Sequence, residues 1–364
     1  MKITAAVLRA VGQPFSIESV TLDDPGPGEV LVEIAGTGVC HTDISFKQGH
    51  WPFPVPSVLG HEGAGRVAAV GAGVTSLAVG DHVVMSNASC GACPSCLSGM
   101  PAWCPNASRL NNSGCRPDGS STLHDDAGDI HGNFVAQSSF ASHALSRDRF
   151  VVKVPEDIPL HLVGSFGCGI QTGAGAVLNV LKPAPGSTAL IVGLGAVGLA
   201  AVAAAAASGC SRVLAADMNP DRFDAARTFG ATDVIDASAG PLPELVRALL
   251  PTGVDAAVEA SGSPRALRSA FESTHGSGRT VLVGAAPHGT EYALDSRSVL
   301  SGRTLVGAIM GLSNPRVFIP RLVDMYRRGQ LPMEKIVQTY PLADIEKALA
   351  DSASGAVVKP VVIP

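Results

Sequence analysis

Charge is scarce in this chain of 364 residues: Asp, Glu, Lys and Arg make up 16% of it, and the net charge is −5. With a pI of about 6.0 it carries no basic footprint for nucleic acid or an anionic membrane surface. It also has no strict glycine period, which excludes a collagen-like chain. The first residues, Met1-Lys2-Ile3-Thr4, lack a basic stretch followed by an apolar one, so no signal peptide is expected and the expected location is cytoplasmic. Cysteine is too sparse, at eight residues, to form a disulfide scaffold of this length. What is abundant is apolar surface: 46% of the residues, with mean hydropathy +0.28. That excludes a disordered or polyelectrolyte chain, and the length suits roughly two domains.

The organisation changes along the chain. Residues 4–8 and 30–34 read as strands separated by the turn-rich run Asp23-Asp24-Pro25-Gly26-Pro27-Gly28. Short Val/Ala runs at 66–70 and 82–84, punctuated by glycine, continue an all-β style. Residues 86–133, rich in Ser, Asn, Gly, Asp, Pro and Cys, read as a long loop region with its own metal staple. Beyond Cys168, strands alternate with helical patterns. Strands are expected at 189–192, 213–216, 234–235, 256–259 and 280–283, and helices up to Ser208 and at 220–229, 242–250 and 264–273. This alternation predicts a doubly wound α/β parallel sheet with helices on both faces. Residues 188–210 contain no charge and are long enough to span a bilayer, but glycines interrupt them, and they read as a buried strand, turn and helix. Further helices are expected from Asn314-Pro315 and over 343–350.

Two motifs are specific, the first through its context, since G-x-G-x-x-G alone is weak, and the second through its spacing. Gly193-Leu194-Gly195-Ala196-Val197-Gly198 follows an apolar strand and opens a helix, and Asp217 lies 19 residues after Gly198 at the end of the next strand. That context is a dinucleotide site: a tight turn, a close backbone approach to pyrophosphate, and close helix–strand packing. Asp217 would bind the ribose hydroxyls and repel a 2′-phosphate, which favours NAD over NADP; Arg222, five residues on, blurs that preference. The second motif is Cys90-x2-Cys93-x2-Cys96-x7-Cys104, four thiolates in fifteen positions. In a chain with no secretion signal this is a closed tetrahedral structural zinc site. Cys40, His61 and Cys168 have the composition of an open zinc site, but they are dispersed, and spacing alone does not assign them.

Cys40-His41-Thr42-Asp43, Gly60-His61-Glu62-Gly63, the four-cysteine run, Gly167-Cys168-Gly169-Ile170-Gln171-Thr172-Gly173 and the glycine fingerprint stand in the order of zinc-dependent medium-chain alcohol dehydrogenases. The resemblance spans essentially the whole chain, and the wording of 166–176 is most similar to the aryl-alcohol (benzyl alcohol) and geraniol-type branch. It implies a mainly β, GroES-like catalytic domain (1–169 and 310–364, zinc lobe 86–115) interrupted by a Rossmann NAD-binding domain (170–309). It also implies NAD and two zinc ions per chain. Cys40, His61, Glu62 and Cys168 would hold the catalytic zinc, and Cys90, Cys93, Cys96 and Cys104 the structural one. Thr42 would take the substrate proton, Asp43 would orient His61, and His41 would serve the proton relay or touch pyrophosphate. Gly193, Gly195, Gly198, Asp217, Arg222, Thr172 and Lys359 would contact the cofactor, Lys359 through its phosphate.

The implied reaction is reversible oxidation of primary aromatic or allylic alcohols to aldehydes, with hydride transfer from a zinc-bound alkoxide. Many relatives close the relay with a histidine where this chain has Ser45, so His41 and the weaker candidate His50 stay open as its end. Trp51, Ser86, Phe134, Ala285 and Ile309 are expected at the substrate cleft, although Trp51 could equally pack the domain. His124, His131, His143, His161, His275 and His288, and Cys115 and Cys210, read as bland surface or core residues. The alternatives are a thiol-adduct (formaldehyde-type) dehydrogenase of the same family and a redox-inert dinucleotide-binding protein. A homodimer or homotetramer is expected, with a small-molecule substrate and no nucleic-acid or membrane partner.

Overall fold

The computed structural model describes residues 1–287 and 289–364; His288 lies outside the described residues. The chain divides into two compact units, one of residues 1–168, 314–324 and 336–364, the other of 169–313 and 325–335.

The first unit is built on antiparallel sheets. Glu29–Gly38 is its central strand, pairing with Gly63–Val70, His143–Arg147 and Lys359–Ile363 in a seven-stranded sheet. The register fixes what meets at one end of that sheet. Thr37 lies opposite Gly63, Gly38 opposite Val361, and Ala64 opposite Val84. The residues just past Gly38, just before Gly63 and at the start of the last strand therefore share one sheet end, together with Met85 at the end of His82–Met85. A second sheet of five strands packs Ile3, Val7, Val20 and Leu22 against Phe140, Leu342 and Ile345 in the unit's largest apolar core.

The region expected to be a long loop is more ordered than its composition suggests. It holds the short helices Pro94–Leu97 and Ala107–Asn112 and the hairpin Leu123–Asp125/Gly128–Ile130. Asp125 Oδ1 accepts from the N–H groups of Ala127 and Gly128 and closes that hairpin, so one acidic turn residue organises it.

The second unit is a six-stranded, all-parallel sheet. Its order is Asp233–Asp236, Arg212–Asp217, Thr188–Val192, Val254–Glu259, Thr274–Leu282, Thr304–Gly307. The chain reverses direction of growth between the third and fourth of these, the switch point at which such sheets bind nucleotides. The uncharged stretch 188–210 is the strand Thr188–Val192 followed by the helix Ala196–Ala207, buried on nearly every side. Among the described residues no helix is long and apolar enough to cross a membrane. The expected helix at 220–229 is divided into a 3-10 turn, Pro220–Arg222, and the helix Phe223–Thr228.

Candidate active site and metal centres

The four-cysteine run closes on itself through its own backbone. Pro94 opens the short helix Pro94–Leu97, and the Cys93 sulfur caps it by accepting from Cys96 N–H at 3.5 Å. The Cys90 sulfur accepts from Cys93 N–H and the Cys104 sulfur from Cys90 N–H, each at 3.2 Å. The N–H groups of Ala92 and Cys93 hold the Cys90 thiol down at about 6. All four sulfurs lie within 4.8 Å of one another, and Cys90 and Cys96 are 3.9 Å apart. A tetrahedral zinc with Zn–S near 2.3 Å requires sulfur–sulfur edges of about 3.8 Å, so the donor set fits that ion. Arg149 ties the lobe down by donating to the carbonyls of Cys90, at 2.9 Å, and Ser89.

A second set of donors meets at the shared sheet end. Cys40 precedes the helix His41–Lys47, and Asp43 in the first turn accepts from Cys40 N–H at 3.0 Å. The other Asp43 oxygen accepts from Gly60 N–H at 3.2 Å and from His61 Nδ1 at 2.9 Å. A carboxylate only accepts, so this bond puts a proton on Nδ1 and aims Nε2 away from Asp43. Gln137 fixes the backbone on the other side, donating to the His61 carbonyl at 2.8 Å and accepting from Gly63 N–H at 2.9 Å.

Cys168 arrives from a tight turn, Gly164–Gly167, where a side chain on Gly167 would lie 1.9 Å from the Met85 carbonyl. Ser86 Oγ donates to the Gly167 carbonyl at 2.8 Å and secures that turn. Ligand atoms of Cys40, His61, Glu62 and Cys168 consequently lie within 4.8 Å of one another.

The charges in this cluster are strongly coupled. The Cys168 thiol holds Cys40 well below its ordinary value, while Cys40 and burial push Cys168 well above its own. Burial opposes charge on His61, but Asp43 outweighs it and holds the imidazole well above its usual range. Burial raises the Glu62 carboxyl against the opposing charge of Lys359, whose Nζ is 2.8 Å from Glu62 Oε2. His61 Nε2 is completely buried and has no hydrogen-bond partner among the described residues. Two sulfurs, a carboxylate and an orphaned imidazole nitrogen form a donor set that suits a divalent zinc.

The remaining expected residues fall as follows. Thr42 and Ser45 are half-buried on the helix His41–Lys47, and His41 and His50 are exposed. Phe134 is fully buried, its ring edge-on to His61 at 5.6 Å and to Phe46 and Phe53 at 4.9 and 5.1 Å. Trp51 is half-buried one ring further out, against Phe46. Ser86, expected to face the cleft, is fully buried. Lys359, expected at a cofactor phosphate, is also buried, and its ammonium is committed to Glu62 and the Val39 carbonyl. Ile309 and Ala285, in the other unit, are exposed. Sequence reasoning missed Gln137, which sits in a polar run without diagnostic spacing, and the pairing of Glu62 with Lys359.

In the second unit the glycine fingerprint has the form its chemistry needs. Gly193 has φ +90°, and a side chain on Gly198 would strike the Gly193 carbonyl at 1.7 Å. A side chain on Gly195 would meet nothing within 4 Å, so the approach to the N-terminus of the helix Ala196–Ala207 is open. Asp217 accepts from Leu194 N–H at 2.6 Å and Asn219 N–H at 2.9 Å, which sets its carboxylate at the mouth of the turn. Arg222 is half-buried, and burial pulls its guanidinium below the ordinary value. Thr172 is half-buried in the helix Gly169–Gly175.

Comparison with known proteins agrees with this geometry. Residues 26–156 match the alcohol dehydrogenase GroES-like domain family, and residues 196–326 match the zinc-binding dehydrogenase family. A geraniol dehydrogenase of Castellaniella defragrans is 40% identical over 366 residues, covering 99% of this chain and 97% of that protein. The crystal structure of an alcohol dehydrogenase zinc-binding domain protein from Burkholderia ambifaria has TM-score 0.98 at 44% identity, covering 100% of this chain and 99% of that one. That of benzyl alcohol dehydrogenase from Acinetobacter calcoaceticus has TM-score 0.96 at 39% identity, with the same coverage.

Proposed function

The chain belongs to the zinc-dependent medium-chain alcohol dehydrogenases, in the branch of the geraniol and benzyl alcohol enzymes, and from that premise we propose that it oxidises primary aromatic or allylic alcohols to aldehydes with NAD. The observation that carries this reading is the convergence of Cys40, His61, Glu62 and Cys168, two sulfurs and one imidazole being the catalytic zinc donors typical of alcohol dehydrogenases. A zinc ion held there would act as a Lewis acid and lower the pKa of an alcohol hydroxyl.

The rest of the chemistry falls to this chain's own side chains. Asp43 holds His61 in one tautomer and one orientation. The Thr42 hydroxyl, two residues from Cys40 and half-buried, accepts the proton leaving the substrate hydroxyl and passes it toward solvent. A bound nicotinamide would take a hydride from the alcohol carbon, so that two electrons and two protons leave the substrate in all. Trp51 supplies the apolar wall that selects a flat alcohol, and Phe134, expected at the substrate but fully buried, backs that wall through Phe46. Asp217 would receive the ribose hydroxyls and disfavour a 2′-phosphate, Arg222 would stand near the same end of the strand, and Thr172 would contact the nicotinamide. We assign a second, structural zinc to Cys90, Cys93, Cys96 and Cys104, and a homodimeric or homotetrameric assembly.

The test is formation of reduced cofactor, followed by absorbance, by zinc-replete protein with benzyl alcohol, geraniol and ethanol, each with NAD and with NADP. Faster turnover of the first two with NAD is expected. Turnover of none of the three with two zinc ions per chain present would overturn the substrate assignment. Absence of zinc from the mixed cluster, together with no turnover, would overturn the enzyme assignment.

A further inference from the structure

An arginine-rich cavity lies in the first unit, beside the four-cysteine lobe, and the alcohol chemistry leaves it unused. Its volume is about 360 Å³. Four guanidinium groups line it, those of Arg109, Arg116, Arg147 and Arg149, against two carboxylates, Glu29 and Asp148. With Asp23, which pairs with Arg116 from outside the lining, that is a local surplus of one positive charge in a chain whose net charge is −5.

The fold accounts for only part of this charge. Arg116 is neutralised: its Nε lies 2.8 Å from Glu29 and its Nη1 2.7 Å from Asp23. Arg149 donates to the Ser89 and Cys90 carbonyls, but its Nε is buried without a partner among the described residues. The side chains of Arg109 and Arg147 are exposed, and neither guanidinium has a hydrogen-bond or ion-pair partner among the described residues. Ser146, only 4% exposed and on the cavity wall, also has a hydroxyl with no partner among the described residues. Buried donors without acceptors are costly and rare, and here they stand beside two uncompensated guanidinium forks. An oxyanion in the cavity offers acceptors to the two exposed forks, and the planar guanidinium matches phosphate and carboxylate oxygens two at a time.

We propose that this cavity, walled by Arg109, Arg147, Arg149 and Ser146, is a binding site for a small organic anion bearing a phosphate ester or two carboxylates. Its volume sits at the low end of the range for ligand pockets, which suits such an anion and is tight for a dinucleotide. Asn133 and Ala136 also line it, and both adopt left-handed φ, 54° and 63°. They flank Phe134 and Gln137, which reach His61, so the cavity and the mixed cluster share one chain segment as a wall.

The experiment is calorimetric titration of the full-length, zinc-replete protein, saturated with NADH to occupy the nucleotide domain, against glycerol 3-phosphate, succinate and inorganic phosphate. Saturable binding of at least one of the two organic anions is expected, and the preferred one identifies the headgroup. The double variant Arg109→Ala/Arg147→Ala removes only exposed, unpartnered side chains, keeps the thermal midpoint, and should bind about tenfold or more weakly. A control variant, Arg265→Ala in the other unit, should bind like wild type. The proposal is overturned if neither organic anion binds saturably, if the double variant binds as tightly as wild type, or if the control weakens as much as the double variant.

Discussion

Two clusters of metal-donor side chains stand in the same unit and differ in almost every physical respect. The lobe draws four sulfurs from fifteen consecutive residues, and three of its cysteines are half-exposed. The mixed cluster draws its donors from positions 40, 61, 62 and 168 and buries His61 and Glu62 almost completely. Charge explains the contrast. Four thiolates around a dication leave two surplus negative charges and no open position, which is tolerable near solvent and useless for binding substrate. Two thiolates and a neutral imidazole balance a dication and leave a coordination position free. Glu62, which would add a surplus charge, has a lysine of its own at 2.8 Å. A closed site can therefore be local and exposed, whereas an open one needs a fold around it.

Breaking each cluster in turn should separate chemistry from stability. Cys168→Ser is expected to lower kcat/KM by about three orders of magnitude, the several kcal/mol that a Lewis acid contributes. Metal analysis should show one zinc lost per chain and the lobe zinc kept; activity within tenfold of wild type would erase the contrast. Cys104→Ser should do the reverse. A structural zinc contributes to folding outright, so a loss of several kcal/mol and a fall in the thermal midpoint of roughly 10 °C are expected in calorimetry. Activity per folded molecule should stay within a few-fold.

Two further changes probe how the mixed cluster is held. Lys359→Met leaves the Glu62 charge buried without its partner, at a cost of about 3–5 kcal/mol. Denaturant unfolding should show that loss, and Glu62→Gln in the same chain should recover most of it. A single variant as stable as wild type would mean that Glu62 does not carry a full charge in the fold. Asp43→Asn keeps the shape beside His61 but removes the charge, and should weaken activity or zinc retention about 10- to 100-fold, read by kinetics and by chelator challenge. The lobe metal should be unaffected by either change.

The same contrast governs what could be read from the sequence. The convergence of the four lobe sulfurs was legible, because thiols three and eight residues apart are forced together by the chain itself. The fingerprint and Asp217 were legible for a similar reason: strand, turn and helix are consecutive, and the doubly wound order follows from their alternation. Cys40, His61 and Cys168 were not assignable from spacing; only their likeness to a family grouped them. Their meeting depends on antiparallel register, with Thr37 opposite Gly63 and Ala64 opposite Val84, and nothing local encodes that pairing. The ion pair between Glu62 and Lys359 joins residues 297 positions apart, and neither has a neighbour that signals it. The order within 86–133 was hidden because its signals, a proline opening one helix and an aspartate closing one hairpin, are single residues in a composition that otherwise reads as loop.

The smallest expected effect concerns how the buried cluster, unlike the exposed lobe, hands a proton to water. Thr42 and Ser45 are three residues apart on the helix His41–Lys47, so they share a face, and both are half-buried. Serine is a poor base at neutral pH, whereas an imidazole at the same place titrates near 6.5. Ser45→His should therefore add an acceptor one helical turn from Thr42 and raise kcat/KM about two- to fivefold at neutral pH, a small share of what a positioned base contributes. The gain should vanish as pH falls through the imidazole's pKa, because the protonated ring no longer accepts. A pH–rate profile superimposable on wild type would mean that the proton already leaves Thr42 by another route, to water or to exposed His41 or His50.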